Sequence, residues 1–341
     1  MHCRLAAGLL LSLVACGSDS GGAIDAATVD ASSLNGEVYA VDWGPVPVAP
    51  GVEGTKCVNL RLSNTSAIQV NQLRNTLGIG SHHLIVYKDD METVERTTPY
   101  DCQPFSGALN LSGMVAPIMI TQKAEDTLRL PAAVAYTLAP AQMIRIEMHY
   151  INSTDAPIEV SAKSEFFAAR PEDIQHEANI LFIGTPDIDI APGESKDVQA
   201  YFNATRARLD VSGMKFFAIT GHTHKMGTNV TVGTAATSGG ARTSVYAPAP
   251  FRWDEPETRV HAPEFELPVG GGFDIKCSYT NTTSQRIGFG ESANDEMCFF
   301  WAYYYPSRGA HVCVHATYNG TEVDICCPDA GAVCQQLEGQ L

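Results

Sequence analysis

The stretch TGHTHKMG places His222 and His224 two residues apart, directly after the apolar run MKFFAI, in a chain that has 10 histidines. If this run is a β-strand, residues i and i+2 share one face, so Thr220, His222 and His224 lie along one side. Two imidazoles on one face are the beginning of a metal site. A lone His-x-His pair also occurs as hydrogen-bonded surface or core residues, so a third ligand must be found elsewhere in the chain.

The best candidate for that third ligand is Met297, in the segment ESANDEMCFFWAYYY. Alternation along a strand puts Met297, Phe299 and Trp301 on one face and leaves Cys298 on the other, where it can meet a disulfide partner. Core packing is the competing interpretation of a methionine beside aromatic residues. The alternative ligands for the same site are Met226 and His261.

A second group of histidines lies in the first half of the chain. His82 and His83 are adjacent in GIGSHHLIVYK, and a regular strand would send them to opposite faces. Gly78 and Gly80 just before them permit the twist or bulge that would bring both to one ion. In QMIRIEMHYIN, alternation turns His149 away from the apolar side of its strand, toward solvent or a cleft. The alternative ligand in this half is His176.

Short alternating segments between Gly, Pro and Asn turns predict an all-β protein built from two antiparallel β-sandwiches. The length of 341 residues suits two domains, and the segment AARPEDIQHEA is the expected boundary between them. The predicted regions are a signal peptide (1–15), a lipidated flexible tether (16–35), two sandwiches (36–168 and 169–308) and a cysteine-rich tail (309–341).

The N-terminus predicts export. Arg4 precedes a short apolar core that ends in LVAC, and a Gly/Ser/Asp/Ala tract follows. That core is too short to span a bilayer, so it indicates a secretory signal. The pattern resembles the lipobox of bacterial lipoproteins, with Cys16 carrying the lipid and the tract acting as a tether at the outer membrane or cell surface. An ordinary signal peptide is the alternative. The net charge of −16 argues against nucleic acid or an anionic membrane surface as a partner, and no partner protein is implied.

The motifs SHHLIVY, MHY, GHTHKMG and DEMC, in this order and at these separations, resemble the copper type II, ascorbate-dependent monooxygenases. The resemblance covers roughly residues 36 to 305. It implies two jelly-roll-like sandwiches that face each other across a cleft, two copper ions, and ascorbate or another one-electron reductant. The implied ligands are His82, His83 and His149 for an electron-storing copper, and His222, His224 and Met297 for the copper that binds dioxygen.

The cysteines also match the family. The resemblance implies the disulfides Cys57–Cys102 and Cys277–Cys298. The remaining cysteines lie past the matched region and allow three pairings, which the sequence leaves open. They are Cys313, Cys326, Cys327 and Cys334.

Three positions depart from the peptide-amidating members of the family. Thr220, Phe299 and Trp301 stand where those members have an arginine, an asparagine and a tyrosine that hold a peptide carboxylate. The expected function is therefore hydroxylation of a C–H bond in a small apolar or aromatic molecule, with these three residues near the substrate. The alternatives are an exported protein that binds copper or transfers electrons without hydroxylating, and a structural sandwich whose histidines are incidental.

Overall fold

The structure is a computed structural model and describes residues 34–102, 115–290, 292, 294–328 and 334. The signal segment, Cys16 and almost all of the tether lie outside these residues. The described part is built almost entirely of β-strands, which confirms the all-β fold class. It contains no helix that is long and apolar enough to cross a membrane.

The first half forms two antiparallel sheets. In one, the strand order is β1-β10-β3-β8-β11, with β7 also paired to β3; in the other, it is β5-β2-β9-β4-β6. The strands are β1 Leu34–Val48, β2 Glu53–Arg61, β3 Ile68–Leu77, β4 Ser81–Asp89, β5 Arg96–Asp101, β6 Val115–Thr121, β7 Glu125–Arg129, β8 Val134–Leu138, β9 Met143–Ile151 and β10 Ile158–Ala169, followed by the short parallel partner of β8, β11 His176–Glu177. A 3₁₀ turn, Pro171–Asp173, lies in the segment expected to join the halves.

The second half has a sheet of order β18-β15-β21-β12-β22-β23, a sheet of order β14-β19-β16-β17, and the pair β13-β20. Its strands are β12 Asn179–Thr185, β13 Asp189–Ile190, β14 Ser195–Asn203, β15 Lys215–His222, β16 Gly227–Ala235, β17 Arg242–Tyr246, β18 Arg259–Phe265, β19 Gly272–Thr280, β20 Ile287–Gly288, β21 Cys298–Tyr305, β22 His311–Tyr318 and β23 Thr321–Cys327. Residues 309–341 were expected to form a tail, but their described part adds two strands to the larger sheet.

Strand β21 connects the two halves because its two faces belong to different cores. Cys298, Phe300, Ala302 and Tyr304 pack inside the second sandwich. Met297, Phe299, Trp301 and Tyr303 belong to a core that is continuous with the first sandwich. This alternation is the one that the sequence predicts. The apolar faces of the two halves therefore bury each other, and the boundary between them is part of the hydrophobic core.

Four disulfides join the eight cysteines of the described residues. Cys57–Cys102 and Cys277–Cys298 confirm the pairs that the family resemblance implies. The other two pairs are Cys313–Cys326 and Cys327–Cys334, which decides among the three pairings left open. Cys313–Cys326 joins the neighbouring strands β22 and β23 at paired positions.

One hydrogen bond across the boundary between the halves is suited to a stability test. The Tyr303 hydroxyl accepts a hydrogen bond from the backbone N–H of Ile120, at 3.1 Å, in a buried environment. We expect Tyr303→Phe to lower the free energy of unfolding by about 1–3 kcal/mol, because it leaves a buried N–H without its acceptor. Denaturant titration measures this loss. Tyr318→Phe is the control, since Tyr318 is 71% exposed. Equal stability of the two variants would contradict the role of Tyr303.

Candidate metal centres

The first-half histidines converge in the structure. Each of His82, His83 and His149 offers one ring nitrogen within 4.8 Å of the others. His83 on β4 is paired with His149 on β9, so the two side chains share a face. The register of these strands shifts between Ser81 and His83, and Gly80 has a φ of +77°. The predicted irregularity before the two histidines is therefore confirmed, and it brings His82 to the same side as its neighbour.

The hydrogen bonds of this set leave nitrogens suited to a metal. The Nε2–H of His149 donates to Glu53 Oε1 at 2.9 Å, which leaves the lone pair on Nδ1. Within the described part of the chain, that buried Nδ1 has no hydrogen-bond partner. His82 Nδ1 and His83 Nδ1 are 3.3 Å apart. Two nitrogen ligands bound at about 2.0 Å to one ion lie about 3 Å apart, so this spacing fits a shared metal.

Burial keeps the imidazoles of this set neutral. Burial, together with the neighbouring His149 and His224, lowers the pKa of His82 to about 4. Burial also takes the pKa of His83 well below its ordinary value. A histidine binds a metal only through a neutral ring nitrogen, so these rings are ready to act as ligands near neutral pH.

The second set is arranged by the antiparallel register of β15 and β21. Thr220 is paired with Trp301, and His222 is paired with Phe299. Extending this register by two residues places His224 opposite Met297, just beyond the last paired positions. The rings of His222 and His224 are 5.2 Å apart between centroids. His222 thus shares the face of Phe299, the His224 ring adjoins it, and Met297 belongs to the core on that face.

Two contacts prepare His224 to be a ligand. Its Nδ1–H donates to the carbonyl oxygen of Asp295 at 3.1 Å, which leaves the lone pair on Nε2. Its backbone N–H donates to Glu296 Oε2 at 2.9 Å. Burial raises the pKa of Glu296 to about 7, although the backbone N–H groups of Met226 and His224 act in the opposite direction.

The alternative ligands have other surroundings. Met226 packs in the core of the second sandwich, where its sulfur accepts a hydrogen bond from the Thr282 hydroxyl at 3.8 Å. The Nε2–H of His261 donates to the carbonyl of Val245. His176 is exposed, and its ring contacts Tyr305. The geometry thus favours His149 over His176 in the first set, whereas the choice of Met297 for the second set stays a prediction.

Side chains of the second half border the first histidine set. A charge on His224 lowers the pKa of His82, and a charge on His82 lowers that of His222, although burial is the larger cause in both. The connection between β17 and β18 also reaches the first set, because the ring centroids of Trp253 and His82 are 5.6 Å apart. The second half of the chain therefore contributes to the surroundings of the first set.

The residues expected near the substrate are buried. Phe299 is 2% exposed and Trp301 is 1% exposed, and the Trp301 ring stacks on Phe182 at 6.1 Å between centroids. The Thr220 hydroxyl is hydrogen-bonded to the Thr258 hydroxyl at 2.8 Å. All three lie on the predicted face, but they fill the core between the halves. Their contact with a substrate stays a prediction.

Sequence reasoning missed three residues around these sets, namely Glu53, Trp253 and Glu296. Glu296 adjoins Met297 in the chain, so its position was a usable signal. Glu53 reaches His149 from a different strand, and Trp253 reaches His82 from a loop in the other half. No spacing in the sequence relates either of them to the histidines.

Comparisons with known proteins give one family and several distant structural likenesses. No curated protein matches the sequence. Among solved structures, the cowpea mosaic virus top component is 11% identical with a TM-score of 0.37, covering 86% of this chain and 96% of its own. The glycosylasparaginase PNGase F from Flavobacterium meningosepticum is 8% identical with a TM-score of 0.30, covering 78% of this chain and 94% of its own. These scores are too low to bear on function.

The family match is specific and falls on the second half. Residues 176–324 match the family described as "Copper type II ascorbate-dependent monooxygenase, C-terminal domain". This range contains His222, at the last paired position of β15 and β21, and His224 and Met297, just beyond it. The resemblance to the copper type II ascorbate-dependent monooxygenases that the sequence motifs indicate is therefore confirmed over residues 176–324, which match the C-terminal domain of that family.

Proposed function

We propose that the protein is a copper-dependent monooxygenase that hydroxylates a C–H bond of a small, apolar or aromatic molecule, using dioxygen and an ascorbate-like reductant. The observation that carries this proposal is that each half brings a histidine set to the buried boundary: His82, His83 and His149 converge beside Trp253 of the second half, and His222 lies on the strand face that packs against the first half. The second set would add Met297, which is buried in the core on the same face as Phe299. If the histidines were incidental to a structural sandwich, they would not be expected to cluster at the boundary that both halves bury.

The two sets suit different tasks. His82, His83 and His149 would hold the copper that stores an electron, because imidazole is a good ligand for both copper oxidation states. His222, His224 and Met297 would hold the copper that meets dioxygen, since the soft thioether favours the reduced ion. Zinc sites use Cys, His and carboxylate ligands, so the methionine argues against zinc there.

The side chains and backbone of the protein fix the ring proton and the orientation of the histidines. Glu53 keeps the proton of His149 on Nε2, and the Asp295 carbonyl keeps that of His224 on Nδ1. Each contact thereby fixes which nitrogen is free to bind a metal, a role that outer contacts of metal sites often have. The apolar core around Trp301 and Phe182 excludes water from the second set.

Copper, when bound, would supply the one-electron redox chemistry and the binding of dioxygen that no side chain provides. In the overall reaction, one oxygen atom enters the substrate C–H bond and the other leaves as water. Two electrons come from the reductant, and two protons from the reductant or solvent. The chain binds the substrate beside the second set and keeps bulk water out.

The substrate proposal rests on what the second set lacks. The arginine that would form a charge-assisted fork with a carboxylate is absent at position 220. Thr220 is uncharged, and its hydroxyl is already bound to Thr258. The nearest large side chains are aromatic, including Trp301 at 6.0 Å from the His222 ring. These surroundings favour an apolar or aromatic molecule over a peptide that ends in a free carboxylate.

We expect copper titration of the metal-free protein to saturate at two ions per chain. His149→Ala should remove one ion, because two imidazoles remain at the first set. Met297→Leu should weaken Cu(I) binding at the second set while conserving volume in the core. His176→Ala and Met214→Leu are the controls, since His176 is exposed and Met214 is buried in the second core. Saturation near zero, or an equal preference for zinc at both sets, would contradict the copper assignment.

Quenching of tryptophan fluorescence by Cu(II) should distinguish an ion at the first set from an ion at the second. Trp253 lies 5.6 Å from the His82 ring, whereas Trp301 lies 6.0 Å from the His222 ring. Trp301→Phe should remove the part of the Cu(II) quenching that reports the second set, and Trp253→Phe the part that reports the first; Trp43 remains in both variants. His149→Ala should therefore remove the quenching of Trp253 and preserve that of Trp301.

The expected activity is dioxygen uptake that requires copper, ascorbate and substrate together. We expect faster turnover of a phenylethylamine than of a peptide that ends in glycine, because Thr220 offers no charge to a carboxylate. Faster turnover of the peptide would contradict this view of the substrate. A protein that binds two copper ions but consumes no dioxygen with either compound, or with a wider set of small aromatic molecules, would instead be a copper-binding or electron-transfer protein.

We also propose that the protein is exported and anchored by lipid on Cys16, with the mature chain beginning there. The four disulfides support an oxidising compartment. Intact-mass analysis of protein from bacterial membranes should find a lipid-modified N-terminal Cys16. An unmodified N-terminus at another residue would refute the anchor. Cys16→Ser should release the protein from the membrane fraction.

A further inference from the structure

Glu296 occupies the point where the two strands that carry the second set stop pairing. Its side chain is 0% exposed. One carboxylate oxygen, Oε2, accepts the backbone N–H of His224 at 2.9 Å, and the other, Oε1, accepts the backbone N–H of Met226 at 2.6 Å. Both donors lie in the turn after β15, whereas Glu296 lies directly before β21. The carboxylate thus connects two segments that no ladder hydrogen bond joins.

Glu296 is itself held in place by backbone contacts. Its N–H donates to the carbonyl of Gly288 at 2.9 Å, and its carbonyl accepts from the N–H of Gly290 at 3.2 Å. The carbonyl of the next residue, Met297, accepts from the Tyr279 hydroxyl at 2.6 Å. The carboxylate therefore extends from a fixed backbone, so the segment it binds is fixed as well.

The position of the second set explains why such a contact is needed. In an antiparallel pair, ladder hydrogen bonds keep opposite residues at a constant spacing. The ladder between β15 and β21 ends at the pair His222 and Phe299, and His224 and Met297 lie beyond it. We propose that Glu296 is a positioning residue that holds His224 and Met297 at the spacing required by one metal ion. This inference rests on the proposed function of the second set.

A carboxylate is suited to this task because both of its oxygens are acceptors. A glutamine in the same place has one acceptor oxygen, and its NH₂ group would face the second backbone N–H. Glu296→Gln therefore keeps the volume of the side chain and removes one of the two contacts. Glu296→Asp keeps both oxygens but shortens the side chain by one methylene, so it withdraws both oxygens from their donors.

The experiment compares wild type with Glu296→Gln in three measurements. We expect Cu(I) affinity at the second set to fall about 10–100-fold, as is usual when an outer contact of a metal site is removed. X-ray absorption of the Cu(I) protein should lose the sulfur contribution of Met297. Cu(II) affinity at the first set should not change. Thermal unfolding of the metal-free variant distinguishes a local effect, which leaves the unfolding temperature nearly unchanged, from general destabilisation, which lowers it.

Glu177→Gln is the matched control. Glu177 also accepts a backbone N–H through its carboxylate, from Thr137 at 2.8 Å, but it lies on β11, away from both histidine sets. We expect this control to lower the unfolding temperature without changing copper affinity at either set. If Glu296→Gln and Glu177→Gln affect copper equally, Glu296 has only a general structural role and the inference is overturned.

Two further results distinguish a failure of this inference from a failure of the proposed function. If the wild-type Cu(I) protein shows no sulfur ligand, the assignment of Met297 fails, whatever Glu296 does. If wild type shows the sulfur ligand and Glu296→Gln retains it with unchanged affinity, the inference about Glu296 fails alone.

Should Glu296→Gln not fold, Glu296→Asp replaces it. Amide exchange in metal-free wild type needs no variant: the N–H groups of His224 and Met226 should exchange slowly, and fast exchange would overturn the inference.

Discussion

The antiparallel register of β15 and β21 is the constraint on which the rest of the functional region depends. With His222 opposite Phe299, side chains on one face of the pair point to the first half of the chain. The same face carries His222, and Met297 belongs to the core that this face forms with the first half. A shift of one residue would turn all of them into the second core, because side chains alternate with a period of two. The orientation of His222 and the contact between the halves are therefore specified by the same pairing.

Burying histidines at an apolar boundary has an energetic cost that the structure offsets with specific polar partners. A buried polar group is unfavourable unless it is hydrogen-bonded, and a buried charge is more so. The rings are accordingly kept neutral by burial, and Glu53 and the Asp295 carbonyl each accept one ring N–H. The nitrogens that remain are the ones that a metal would bind. The metal would thus complete a polar arrangement that side chains leave incomplete.

The two sets differ in how firmly the backbone holds them. His83 and His149 are directly paired within a sheet, so the first set needs only a local irregularity to include His82. The second set lies beyond the end of its ladder and relies on side-chain contacts for its spacing. This difference is consistent with the roles proposed for the two sets, in which only the second would have to accept a further ligand.

The sequence by itself predicted much of this arrangement. Residue alternation placed Met297, Phe299 and Trp301 on one face of a strand and Cys298 on the other, and the glycines before His82 and His83 indicated a break in regular pairing. These features are local, because the two-residue period of a strand is set by its own backbone. The order of the histidine and methionine motifs pointed to the family, and residues 176–324 match it.

Only the tertiary structure decided which surfaces meet. Alternation shows that Phe299 and Trp301 share a face, but not that the first sandwich covers it and buries them. The pairing of the last four cysteines, and the place of β22 and β23 in the sheet, depend on strand order. Glu53 and Trp253 reach the first histidine set from a different strand and from the other half. Such contacts join residues far apart in the chain, so no local period or spacing encodes them.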